Sequence, residues 1–208
     1  MTHGTHAVQH EVEHEIKHEK AHAEGGKELS QNRKIALLIA VIALFLAFSE
    51  TLGKSAQTAA LSYNVEASNL WAFFQAKTIR ITTLRTAADM FKVSQETAGD
   101  TPVKAVMGKQ IDAWIRTAGR YEDEPDPPEG RKQLMGRAKD AEGKRDTALA
   151  RYHHYEVASA AFQIGIVLAS ATVITGMLAL SFIAGGLALV GVGFMAIGLF
   201  APHAVHLF

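Results

Sequence analysis

No Lys, Arg, Asp or Glu occurs between Val157 and Phe200, and none between Ile35 and Phe48. Runs of that kind cannot cover the surface of a water-soluble domain; they have the composition of bilayer-crossing helices, which need roughly 20 apolar residues. The second run, wound as one helix, is about twice the hydrocarbon thickness, so it must turn back. Gly185-Gly186 weakens helix propensity and sets the expected turn between Ser181 and Gly186, with spans over 157–181 and 184–202. The first run is short and reaches Gly53 only by including Ser49 and Glu50. Ala47-Phe48-Ser49 fits a small-x-small cleavage site, but the polar segment ahead of it outruns an ordinary leader n-region, so we read an uncleaved anchor over 35–53.

Charge narrows the function classes. Lys plus Arg number 21 and Asp plus Glu number 21, a balance that argues against nucleic acid as a partner, because phosphate binding needs a clustered basic excess. The chain has no cysteine, which removes disulfides, thiol nucleophiles and cysteine metal sites. A glycine-rich phosphate loop, a nucleophile elbow and a His-Glu-x-x-His zinc helix are all missing, so the expectation is a protein that is not an enzyme.

Between the spans, over 54–156, the apolar residues follow alternating steps of four and three. From Ala56 the steps land on Ala60, Tyr63, Ala67, Leu70, Phe74, Lys77, Ile81, Leu84, Ala88 and Phe91. A stripe at 3.5-residue spacing keeps one helix face against a partner helix. The same steps on the far side read Leu134, Ala138, Ala141, Arg145, Ala148, Tyr152, Tyr155, Ser159, Phe162, Ile166 and Ala169. Gly99-Asp-Thr-Pro102 and the loop from Glu124 to Gly130 break the chain on either side of an amphipathic stretch, Val103 to Tyr121. The expected fold is therefore all-α, with three transmembrane helices and an extramembrane antiparallel helical hairpin, coiled-coil-like, carrying a short helix at its tip. Lys77 and Arg145 interrupt the seams; a charged seam residue can set register or oligomeric state, and a long side chain snorkelling from a helix edge is the plainer account of both.

Within the spans, Ala161, Gly165 and Ala169 form a small-xxx-small stripe, and Gly186 and Gly193 lie one heptad apart; both strips let a helix approach closely. With Leu70, Phe74 and Leu84 of the seam, these are the expected packing residues. Gln163 and Glu50 are the polar residues at membrane depth or its edge, read as an interhelical hydrogen-bonding group and an interfacial carboxylate. Lys17, Lys20, Lys27, Arg33 and Lys34 precede the first span, which places the N-terminus in the cytoplasm by the positive-inside rule. Arg137, Lys139, Lys144, Arg145 and Arg151 argue the reverse; the first helix is taken to decide.

The polar segment 1–34 carries His6, His10, His14, His18 and His22, one every four residues, with Glu11, Glu15 and Glu19 each following a histidine. An i, i+4 histidine pair is a ligand spacing for zinc, copper or nickel. Each four-residue step drifts about 40° around a helix, so no more than two or three can converge on one site. The plain alternative is a solvated helix, and a further one is a pH response of clustered imidazoles. His153-His154, and His203 and His206 in the tail 203–208, read as surface polar residues.

The segment Asn69-Leu-Trp-Ala-Phe-Phe-Gln-Ala-Lys77, together with Tyr155-Glu-Val-Ala-Ser-Ala-Ala-Phe-Gln-Ile-Gly-Ile-Val-Leu-Ala-Ser170, resembles the bacterial membrane family known only as domain of unknown function 4337. The likeness covers roughly 32–199 and excludes the histidine ladder. It implies a three-span, helix-rich protein of the bacterial inner membrane without an assigned activity. The expected function is a homo-oligomeric, non-enzymatic scaffold in the lipid bilayer. The alternatives are a metal- or pH-responsive protein acting through the histidine ladder and, on Glu50 and Gln163, an oligomeric channel or transporter.

Overall fold

The computed structural model describes residues 31–99 and 102–205. The elements are α1 (Gly4–Thr97, described from residue 31), α2 (Pro102–Glu122), α3 (Arg131–Thr175) and α4 (Leu178–Phe200). Among the described residues there is no strand. α1, α3 and α4 are each long and apolar enough to cross a membrane. The histidine ladder falls outside the described residues. The helix ends follow from residue type: Gly99 (φ 63°) and Gly176 (φ 71°) adopt the left-handed conformation that stops a helix, and Pro102, whose missing N–H costs nothing in a first turn, opens α2.

The chain forms two units, Met1–Lys54 with Arg151–Phe208, and Ser55–Ala150. In the first, α1 up to Lys54 and α3 from Arg151 pack with α4. Ile35, Ala169 and Ala184 form one buried cluster, and Ile42, Ala158 and Phe162 another, with Phe45 stacked on Phe162 at 6.0 Å between ring centroids. The outer surface is apolar: Ile174 is 87%, Phe182 78% and Phe200 82% exposed, a surface suited to lipid. The first span is not truncated at Ser49. The buried Ser49 hydroxyl donates to the Tyr155 carbonyl at 2.9 Å, and the Thr51 hydroxyl to the Ala47 carbonyl at 2.8 Å, so the helix passes through its polar residues with their hydroxyls satisfied.

The turn between the last two spans falls at Gly176-Met177, ahead of the expected position at 181–186. Gly176 reaches positive φ at no steric cost, and its N–H donates to the Thr172 carbonyl at 2.9 Å, closing the end of α3. Gly185 and Gly186 stay helical inside α4, where backbone hydrogen bonds with no competing water hold glycine in register.

In the second unit, Ala67 and Leu70 of α1 pack with Leu134, Ala138 and Ala141 of α3, with Trp71 and Phe74 against them. Burial along this part of α1 recurs at Ala56, Ala60, Ala67, Leu70, Lys77, Ile81 and Ala88, the spacing of a 3.5-residue seam. Contacts with α3 run in reverse order: Lys144 lies over the Tyr63 ring, Glu142 meets Trp71, and Arg131 lies over Phe74. α2 does likewise further along: Arg85 pairs with Glu122, Phe91 meets Trp114 edge-on at 4.9 Å, and the Gln95 amide donates to the Lys104 carbonyl at 2.8 Å. The stretch Val103 to Tyr121 lies within α2, a 21-residue helix that runs back along the last turns of α1.

Candidate functional site

The densest polar chemistry among the described residues lies where α2 gives way to α3. The Asp123 N–H donates to the Gly119 carbonyl at 3.1 Å as the last turn of α2 closes, and the following Pro-rich loop returns the chain to Arg131. Three consecutive acids, Glu122, Asp123 and Glu124, then face partners on three elements. Glu122 accepts from Arg131, whose Nε lies at 3.1 Å, and pairs with Arg85 of α1 at 3.6 Å. Asp123 accepts from Lys132 at 2.9 Å and from the Gln133 amide at 2.6 Å. Glu124 pairs with Lys77 of α1 at 3.4 Å and with Arg120 of α2 at 3.6 Å, while its N–H donates to Gln133 Oε1.

Each of 122, 123 and 124 thus meets the residue nine places later. The Gln133 and Lys132 hydrogen bonds hold the Asp123 carboxyl below its ordinary range, and the Asp123 hydrogen bond raises the Lys132 ammonium.

Lys77 does not snorkel. It is 4% exposed, with its ammonium 4.6 Å from the centroid of the Tyr121 ring and 5.8 Å from that of Phe73. Removing an ammonium from water costs several kcal/mol, roughly, and only a close counter-charge and polarisable ring faces offset it. Glu124, Tyr121 and Phe73 supply both. Arg145 instead pairs with its neighbour Asp146 at 2.9 Å and stays partly exposed.

The segment Asn69–Lys77 feeds this region. Leu70 is buried, the Trp71 indole donates to Glu142 at 2.9 Å, Phe74 meets Trp71 edge-on at 5.3 Å and carries Arg131 over its face, and Lys77 closes the run. Leu84, also expected in the seam, is half-buried. The acidic run 122–124 escaped the sequence reading, although Arg131-Lys132-Gln133 nine residues on carried the signal.

In the first unit, Ala161, Gly165 and Ala169 are all buried, and a Cβ on Gly165 would lie 3.3 Å from the Ala184 carbonyl. The strip therefore packs within the chain. Gly186 and Gly193 are exposed, and a Cβ on either meets nothing within 4 Å. The buried strip of α4 is Ala184, Gly191 and Gly198, two positions away. A Cβ on Gly191 would fall 2.7 Å from the Phe162 ring, so that ring occupies the place of a side chain. Gln163 and Glu50 do meet: the Gln163 amide donates to the Glu50 carboxylate at 3.4 Å on an exposed face. His154 is 1% exposed rather than a surface residue; its Nε2 lies 3.0 Å from the Pro202 carbonyl and its ring stacks near Phe194. It ties the segment after α4 to α3.

Among the described residues no group of three or more His, Cys, Asp or Glu side chains could hold a metal ion. The arrangement is one of ion-paired charges that tie helix to helix. Residues 31–201 match the family model described as Domain of unknown function (DUF4337). No curated protein and no solved structure matches the chain.

Proposed function

The chain belongs to the DUF4337 family, and from that premise we propose that it is a non-enzymatic, homo-oligomeric protein of the bacterial inner membrane that organises the bilayer or scaffolds partners. The observation supporting this is the disposition of polar groups in the second unit. Glu122, Asp123 and Glu124 are committed to Arg85, Arg131, Lys132, Gln133, Lys77 and Arg120, so the richest titratable cluster serves to brace helices. On this reading the extramembrane segment is an antiparallel, coiled-coil-like helical hairpin with α2 laid against it, and the N-terminus faces the cytoplasm. The native mass of the intact protein, measured in mild detergent and in lipid nanodiscs, tests it: a discrete multiple of the 22.5 kDa chain is expected, and a monomer in both would sink it.

A second reading rests on the spacing of His6, His10, His14, His18 and His22. Imidazoles four apart suit a transition-metal pair. Calorimetric titration with zinc, copper and nickel would show saturable binding that disappears when His10, His14 and His18 become Ala; absence of binding ends this reading.

A further inference from the structure

α1 carries a second seam, apart from the buried one that packs on α3, and nearly all of it is exposed. Starting at Ser62, alternating steps of three and four reach Val65, Asn69, Ala72, Ala76 and Ile79. The same steps continue through Thr83, Thr86 and Met90 to Val93. No charged residue falls on this line, although Glu66, Arg80, Arg85, Asp89, Lys92 and Glu96 are scattered through the same helix. Ala76 is half-buried and the rest are exposed, with Val65 at 51%, Ile79 and Met90 at 67% and Val93 at 65%. Two shallow grooves lie along it, one bordered by Val65, Asn69, Ala72 and Ala76 with Glu66 and Arg137 of α3 at its edge, the other by Ile79, Thr83, Thr86 and Met90. The Thr83 hydroxyl donates to the Ile79 carbonyl at 2.9 Å, and the neighbouring Thr82 hydroxyl to the Thr78 carbonyl at 3.0 Å. Their polar groups are satisfied within the helix, which makes this threonine-rich stretch more apolar than its composition.

We infer that this stripe is a parallel coiled-coil interface with α1 of a second copy of the same chain. The inference rests on the homo-oligomeric reading above and names its surface. Three observations choose the occupant. With Ser62 as an a position, Asn69 is also an a position, and an asparagine there is unpaired against an apolar partner but pairs with its own counterpart across an in-register twofold, fixing register and strand number. The flanks carry no like-charge conflict: the pairs a parallel twofold creates set Glu66 beside Leu61, Arg80 beside Gln75 and Asp89 beside Ser94. Copies anchored in one bilayer with one topology must also present α1 in the same direction. The small residues Ser62, Ala72 and Ala76 let the two backbones approach closely.

The absence of cysteine makes the test direct. Single substitutions Val65→Cys, Ala72→Cys and Ile79→Cys on the stripe, with Asn64→Cys and Lys92→Cys on an exposed face beside it, would be made in the full chain and oxidised in native membranes. Disulfide-linked dimers are expected at 65, 72 and 79, several-fold above those at 64 and 92. Cross-linking that is uniform, or strongest at 64 or 92, in a protein whose native mass is oligomeric overturns this interface and leaves the oligomer standing. A cysteine at 79 that neither cross-links nor reacts with a water-soluble maleimide shows that a different chain covers the stripe, and also overturns it. A monomeric native mass without cross-links overturns both readings. Because a cysteine can perturb packing, Asn69→Leu gives an independent readout. Mixed membranes carrying Val65→Cys and Ala72→Cys should cross-link poorly with Asn69 present and better once Asn69→Leu is added to both chains, as register is released; no change counts against the twofold.

Discussion

Lys77 Nζ lies 3.4 Å from Glu124 Oε2, with the lysine side chain 5% and the glutamate 18% exposed, so the chain just past α2 is held to α1 by a charge withdrawn from water. Removing one member of such a pair costs more than removing both, because the survivor keeps its desolvation cost without its counter-charge.

Glu124→Gln should therefore destabilise the second unit by about 2–3 kcal/mol, and Lys77→Met combined with Glu124→Gln should recover most of that loss. The chain's two tryptophans, Trp71 and Trp114, both lie in the second unit, so tryptophan fluorescence during denaturant unfolding in detergent reports on it selectively. A double variant no better than Glu124→Gln alone would contradict this account.

Trp71→Phe keeps the ring packing against Phe74 but removes the indole N–H that Glu142 accepts. A half-buried carboxylate losing one donor costs about 1–2 kcal/mol. The shift should appear in the unfolding midpoint followed by Trp114 emission, and it should largely vanish in a Glu142→Ala background.

Gly191→Ala places a methyl group 2.7 Å from the Phe162 ring, whereas Gly193→Ala places one where nothing lies within 4 Å. Overpacking of this kind costs about 1–3 kcal/mol. Gly191→Ala should lower the SDS concentration at which helical circular dichroism begins to fall; Gly193→Ala should not, and Phe162→Leu should partly rescue Gly191→Ala. Equal effects of the two alanines would reassign the buried face of α4.

Acid should loosen the junction between α2 and α3. Asp123 titrates below its ordinary value because Gln133 and Lys132 bind its charged form. Its contribution is therefore present above the unfolded carboxylate pKa, near about 3.9, and is lost as pH falls through the lower folded value. Lys132 is raised, so its contribution is present below the unfolded lysine pKa, near about 10.4, and is lost as pH climbs through the folded value. Amide exchange across 122–133 should accelerate at both extremes, and Asp123→Asn should flatten the acid limb.

The helices are legible in the sequence because their signals are local: charge-free runs, a 3.5-residue stripe, and Gly-Pro punctuation at Gly99–Pro102. The turn at Gly176 is not, because a pair of glycines is a stronger propensity signal than one, and propensity does not register that membrane-embedded backbone stays helical through Gly185 and Gly186. Gly193 and Gly191 are likewise indistinguishable by spacing; the side facing Phe162 is set by how α3 and α4 meet. Lys77 reads as a surface lysine in sequence because its counter-charge sits 47 residues away. The charged junction becomes visible only when 122–124 and 131–133 are brought together by the loop.

The connection between α3 and α4 consists of Gly176 and Met177 alone. Helices α3 and α4 are each long and apolar enough to cross a bilayer, and a turn of two residues leaves almost no chain beyond it on that side. An antibody, a protease or a protein partner approaching from that side finds almost no backbone at the turn to grip.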